Sequence, residues 1–111
     1  MLPKQHRLTQ KEDFRRAYSS RILFREGNLS LKMSKNDLPV SRIGFSVEKK
    51  YFKKAVERNR LKRILRELVQ KNLTLIRPGF DIVIFCRQAP TENSDGQNES
   101  MQKLLRKSGL T

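Results

Sequence analysis

Apolar positions recur with two different periods along this chain, and polar punctuation separates the stretches that carry them. Residues 28–33 (NLSLKM) put Leu29, Leu31 and Met33 at every second place, the period of a half-buried strand. Residues 42–47 (RIGFSV) repeat it with Ile43, Phe45 and Val47, leaving the small Gly44 and Ser46 on the other face, where they make room for a ligand. A turn at Asn36-Asp37-Leu38-Pro39 separates the two. Residues 80–86 are apolar except for Asp81 and predict a further strand, set off from what precedes it by Arg77-Pro78-Gly79.

Elsewhere the period is helical. With Leu61 at zero on a wheel of about 100° per residue, Ile64, Leu65 and Leu68 fall within about 60° of it and form a core-facing stripe. Thr9-Gln10-Lys11-Glu12 reads as a capping box opening a helix that runs to about Tyr18, with Phe14, Ala17 and Tyr18 on one side. Met101, Leu104 and Leu105 place a last helix over roughly 97–107, ending ahead of Gly109 as C-cap. Residues 88–99 read as a polar loop, and residues 20–26 leave open one more strand, for which Ile22 and Phe24 are suited. With no internal repeat, residues 1–111 read as a single domain of the α+β class with one sheet.

Charge changes this picture most at the central helix. Residues 49–66 carry Lys49, Lys50, Lys53, Lys54, Arg58, Arg60, Lys62, Arg63 and Arg66 against the single acid Glu57. Ala55, Arg58, Asn59, Lys62, Arg63 and Arg66 spread over the arc opposite the apolar stripe, while Arg60 and Glu67 point to a third flank. A solvated helix face ordinarily mixes signs, with Glu placed to pair with Lys at i+4; the residue four after Glu57 is Leu61. So many like charges repel one another unless a polyanion compensates. The whole chain has the same bias: 25 Lys and Arg against 11 Asp and Glu give a net charge of +14. Nucleic acid is the partner this favours, since there is no apolar run near the roughly 20 residues of a membrane span.

Other chemistries lack material. His6 is the only histidine, which leaves almost nothing for a zinc site or a histidine-assisted nucleophile. Cys86 is the only cysteine, so no disulfide forms within the chain; its apolar surroundings read as those of a buried thiol in a cytoplasmic protein. The acids are scattered, only Glu12 and Asp13 being adjacent, and consecutive helical residues diverge by about 100°. Cleavage of a phosphodiester by protein-bound metal requires carboxylates that converge.

LTQKEDFRRAY near the start, RIGFSVEKK in the middle and KKAVERNRLKRILRE after it together resemble the protein component of bacterial ribonuclease P, the last segment through its Arg58-Asn59-Arg60 core. The resemblance implies a small two-layer α/β sandwich: one mixed sheet of about four strands, a basic central helix, flanking N- and C-terminal helices, and a left-handed strand-helix-strand crossover, as in the second domain of a small-subunit ribosomal protein. It implies that the chain binds a catalytic RNA and the 5′ leader of precursor tRNA, aiding removal of the leader by an endoribonuclease whose Mg²⁺ is held mainly by RNA. No membrane and no dedicated protein partner is expected. Carried over residue by residue, Phe14 and Tyr18 match aromatic positions of the leader cleft, Ser46 and Lys50 the middle strand and its exit, and Ala55, Arg58, Asn59, Lys62, Arg63 and Arg66 the helix wall; Lys49, Lys53, Lys54 and Arg60 of the same basic segment are read as further RNA contacts. Glu48 stands where many members have a small or neutral residue, and Tyr51-Phe52 replaces a connection that contains glycine in some. The competing readings are a structural RNA binder of the ribosomal type and a DNA-binding regulator; no helix-turn-helix pair precedes the basic helix to support the second.

Overall fold

The strands order themselves around the most apolar one. In the computed structural model, which describes residues 2–88 and 94–111, helix α1 (Lys11–Tyr18) leads into strands β1 (Phe24–Glu26), β2 (Leu29–Lys35) and β3 (Arg42–Ser46). Helix α2 (Ala55–Asn72), strand β4 (Phe80–Phe85) and helix α3 (Ser94–Lys107) follow. The sheet order is β1-β2-β4-β3. β4 pairs antiparallel with β2 and parallel with β3, so the sheet is mixed and α2 supplies the connection between its parallel strands.

Alternation divides the sheet residues between two faces. Leu29, Leu31, Ile43, Ile82, Ile84 and Cys86 pack with Leu61, Leu65, Leu68 and Val69 of α2 and Met101, Leu104 and Leu105 of α3, all of them buried. This is the stripe and spacing the apolar pattern predicts. A second, smaller cluster lies on the opposite face, where Leu8 and Ala17 meet Val83 and Phe85, with Phe14 and Tyr18 against them. β4 is apolar nearly throughout because it is covered on both sides.

Several local expectations are corrected. The Thr9 capping box does not form: α1 starts at Lys11, with extended Gln10 at its N-cap and no side-chain cap. Leu8 is buried and bonded through its backbone N–H to the Ile43 carbonyl at 3.0 Å, so the chain at Thr9 is still running beside the sheet. Only Phe24–Glu26 of the possible strand over 20–26 pairs, and Ile22 is exposed. The last helix begins at Ser94 rather than near Gln97, which shortens the expected polar loop; residues 89–93 of that loop lie outside the described residues. Gly109 has φ +82°, the left-handed geometry that ends a helix, with Leu110 N–H bonded to Leu105 O at 2.9 Å. Among the described residues no helix is long and apolar enough to cross a membrane.

Candidate nucleic-acid interface

The face of the sheet left by α2 and α3 is read off the register. Ser34, Asp81 and Arg42 form one cross-strand row, Lys32, Val83 and Gly44 the next, and Ser30, Phe85 and Ser46 the third. α1 lies over these rows with Ala17 fully buried. A Cβ at Gly44 would stand 2.9 Å from Cε2 of Phe14 and 3.2 Å from Cβ of Leu8. The glycine thus makes room for the Phe14 ring, which narrows the reading of the small face: Gly44 borders the hollow beside α2, and Ser46, one step along, borders the open space beside α1.

That open space is a cleft of about 730 Å³ lined by Thr9, Lys11, Phe14, Arg15, Tyr18, Ser19, Ser46 and Glu48. Phe14 and Tyr18 are partly buried and nearly coplanar in orientation, with ring centroids 6.3 Å apart and planes at 12°. Tyr18 also leans on Phe85 at 5.4 Å, and the Lys32 ammonium sits 5.0 Å from its ring centroid. Its hydroxyl donates to Oε1 of Glu48 at 3.1 Å. Burial, then the bond to Glu48, raises the Tyr18 pKa above the ordinary phenol value, so the hydroxyl remains a donor at neutral pH.

Next to the cleft, the residues entering α2 divide by role. Phe52 is buried in the main core, while Tyr51 is partly exposed with the Lys50 ammonium 5.5 Å and the Arg87 guanidinium 5.6 Å from its ring centroid. Lys49, Lys50, Lys53, Lys54, Ala55, Asn59, Arg60 and Arg63 are exposed. Lys62 and Arg66, half-buried, line a second depression of about 320 Å³ with Arg7, Leu8, Thr9, Gly44 and Phe45. Thr9 borders both hollows. Arg58 differs from its neighbours. Its Nη1 donates to the carbonyls of Phe52 at 2.8 Å and Lys53 at 2.9 Å, folding the guanidinium over the entry to the helix. On the wheel it stands about 60° from Leu61, at the border of the buried stripe, which corrects its placement on the arc opposite that stripe.

Among the described residues, none of the lysines and arginines from 49 to 66 forms an ion pair. The acids are engaged elsewhere. Fully buried Asp81 receives Arg42 Nε at 2.8 Å and Nη2 at 2.7 Å, with Asn36 Nδ2 at 2.9 Å, and Asp13 of α1 stands 3.2 Å from the same guanidinium. Arg42 thereby fastens α1, the wall of the cleft, to β4. Its own pKa is raised, chiefly by the bond to Asp81. Asp13 and Asp81 are spaced by an arginine, and among the described residues no group of three or more His, Cys, Asp or Glu side chains is arranged to hold a metal ion.

Sequence reasoning missed Thr9, Lys11, Arg15 and Ser19 as cleft lining, and Arg7 in the second hollow. Lys11, Phe14, Arg15 and Tyr18 follow the i, i+3, i+4, i+7 spacing, so a basic and aromatic stripe was present in the α1 segment to be read. Lys32 had no such signal, because its place over Tyr18 follows from which face of β2 meets α1.

Comparison with known proteins bears directly on this arrangement. The ribonuclease P family profile matches residues 2–109. The ribonuclease P protein component of a Pseudanabaena strain is 41% identical over 85 residues, covering 76% of this chain and 73% of that protein. That of a Microcystis aeruginosa strain is 33% identical over 98% of this chain and 95% of its own length. The chain belongs to the ribonuclease P protein family. Solved structures agree: the ribonuclease P protein of Thermotoga maritima superposes with a TM-score of 0.78 at 30% identity, covering 91% of this chain and 96% of that one. The Staphylococcus aureus ribonuclease P protein gives 0.79 at 26% identity over 95% and 96%.

Proposed function

We propose that residues 1–111 act as one RNA-binding domain that holds the 5′ leader of precursor tRNA in the cleft under α1 while the cations of α2 meet RNA phosphates. As a ribonuclease P protein, the chain is a subunit of a ribonucleoprotein endoribonuclease, and its partners are the ribonuclease P RNA and precursor tRNA. The observation that carries the leader reading is the juxtaposition of stacked aromatic rings with a cationic helix that forms no ion pair from residues 55 to 66 among the described residues. A single strand bound with little sequence preference requires both, a platform for unstacked bases and a positive track for the backbone. Phe14 and Tyr18 supply the platform. Lys62 and Arg66, beside Arg7, offer phosphate contacts from the second hollow, and Lys49, Lys50, Lys53, Lys54, Asn59, Arg60 and Arg63 extend the track. Ser46 and Ala55 leave the backbone room to approach, and Arg58 holds the entry turn in shape.

Among the described residues the carboxylates do not converge to hold a Mg²⁺; we assign that ion to the RNA partner, which performs the cleavage. We place this activity in the cytoplasm. A purely structural RNA binder is disfavoured by the family match. In the reconstituted holoenzyme, Tyr18→Ala lowers affinity for leader-bearing precursor about tenfold, the loss of one stacked base, and leaves affinity for mature tRNA unchanged. Equal losses on both RNAs would show that Tyr18 serves the RNA subunit or the fold. The purified chain without RNA leaves precursor tRNA uncut.

A further inference from the structure

Among the described residues Glu48 is the only acid lining the cleft, and it is an odd group to find there. A carboxylate repels the phosphates that the surrounding Lys11, Arg15 and Lys32 attract. It forms no ion pair among the described residues, although Lys49 and Lys50 follow it directly. Its one side-chain partner among the described residues is the Tyr18 hydroxyl, which occupies a lone pair of Oε1 and holds the carboxylate beside the aromatic platform. Glu48 is exposed and lines the cleft, and among the described residues no second partner engages its carboxylate.

We propose that Glu48 is a specificity-determining residue that reads the Watson–Crick edge of the leader base stacked beside Tyr18, and that it selects guanine. The inference rests on the leader reading of this cleft. Guanine alone presents two adjacent donors, N1–H and the N2 amino group, matched to the fork of a carboxylate. Adenine and cytosine each set one amino donor beside an acceptor nitrogen, and uracil flanks its single N3–H with two carbonyl oxygens, so each of these brings at least one lone pair against the carboxylate. The same negative charge turns the phosphate backbone away from the end of β3 and toward the cations of α1 and α2. Edge-on reading of an unstacked base held on an aromatic ring is how single-stranded RNA is discriminated generally.

The test uses the holoenzyme reconstituted with its RNA and a pool of precursor tRNAs with randomised leaders, kcat/KM being obtained for every leader by internal competition. The wild type favours guanine over uracil at one leader position by about fivefold, the lower end for a bidentate contact because the site is open to water. Glu48→Gln, whose amide offers one donor and one acceptor, moves that preference to adenine and cytosine, which both set an amino donor beside an acceptor nitrogen, and Glu48→Ala flattens it. Leader-bearing substrate remains preferred over mature tRNA in both variants. A guanine preference that survives in Glu48→Ala overturns the proposal, as does a uniform rise in affinity for all four bases in Glu48→Gln, the mark of simple charge removal. Loss of the leader's own contribution in the wild type would instead overturn the cleft reading on which the proposal stands.

Discussion

Asp81 breaks an otherwise apolar strand, and Arg42 is the reason it can. The two are register partners across β3 and β4, and the guanidinium closes on the fully buried carboxylate with two bonds. Removing one member of such a pair strands the other's charge in a dry interior. Arg42→Ala is expected to lower stability by about 3 kcal/mol and to loosen α1 through Asp13, seen as a lower urea midpoint together with weaker leader binding. A change below about 1 kcal/mol would mean that Asn36 suffices for Asp81. Cys86 is a second test at this scale. Burial raises its thiol from the ordinary 9.0 to about 11. The folded state therefore keeps the proton that the unfolded chain gives up first; the thiol's contribution to stability is whole below pH 9 and is lost as pH rises through about 11. At pH 8 Cys86 should resist alkylation in the folded protein and react promptly in denaturant.

At the scale of elements, α2 works as a two-sided rod. Leu65 is fully buried in its apolar stripe, and Leu65→Asp is expected to abolish cooperative folding, measured by loss of the thermal transition. A folded, soluble variant would show the helix to be rotated from the position described. Its cationic side is not uniform. Arg58 caps the entry turn by holding two carbonyls, whereas Lys62 and Arg66 line the second hollow without an ion pair among the described residues. Arg58→Ala should therefore lower stability by about 2 kcal/mol, the worth of hydrogen bonds from a charged donor, while Lys62→Ala leaves the melting temperature nearly unchanged and weakens RNA binding. The opposite ranking would place Arg58 among the RNA contacts and Lys62 in the fold.

For the molecule as a whole, a net charge of +14 with the α2 cations free of ion pairs among the described residues predicts strongly salt-dependent RNA affinity. Log affinity for a single-stranded leader should fall against log salt with a slope of about 0.7 per phosphate contact, and Lys62→Ala should reduce that slope by about one contact. A flat salt response would contradict the electrostatic argument.

Period and sign of charge were enough to determine the class of fold, the buried stripe of α2 and its cationic opposite face, because both are local properties of a helix or strand and need no knowledge of what lies across the sheet. The resemblance, which spans residues 7–107, named the aromatic floor at Phe14 and Tyr18. Only the tertiary structure decided that Gly44 exists to admit Phe14, that Asp81 answers Arg42, and that Glu48 meets Tyr18 at the mouth of the cleft. Those pairs are separated by 30 or more positions in the chain, 30 in each of the first and last cases and 39 in the second, and they meet through strand register and the seat of α1. Neither the spacing of residues along one element nor its composition holds that information, since register and docking are set jointly by every side chain on both faces of the sheet.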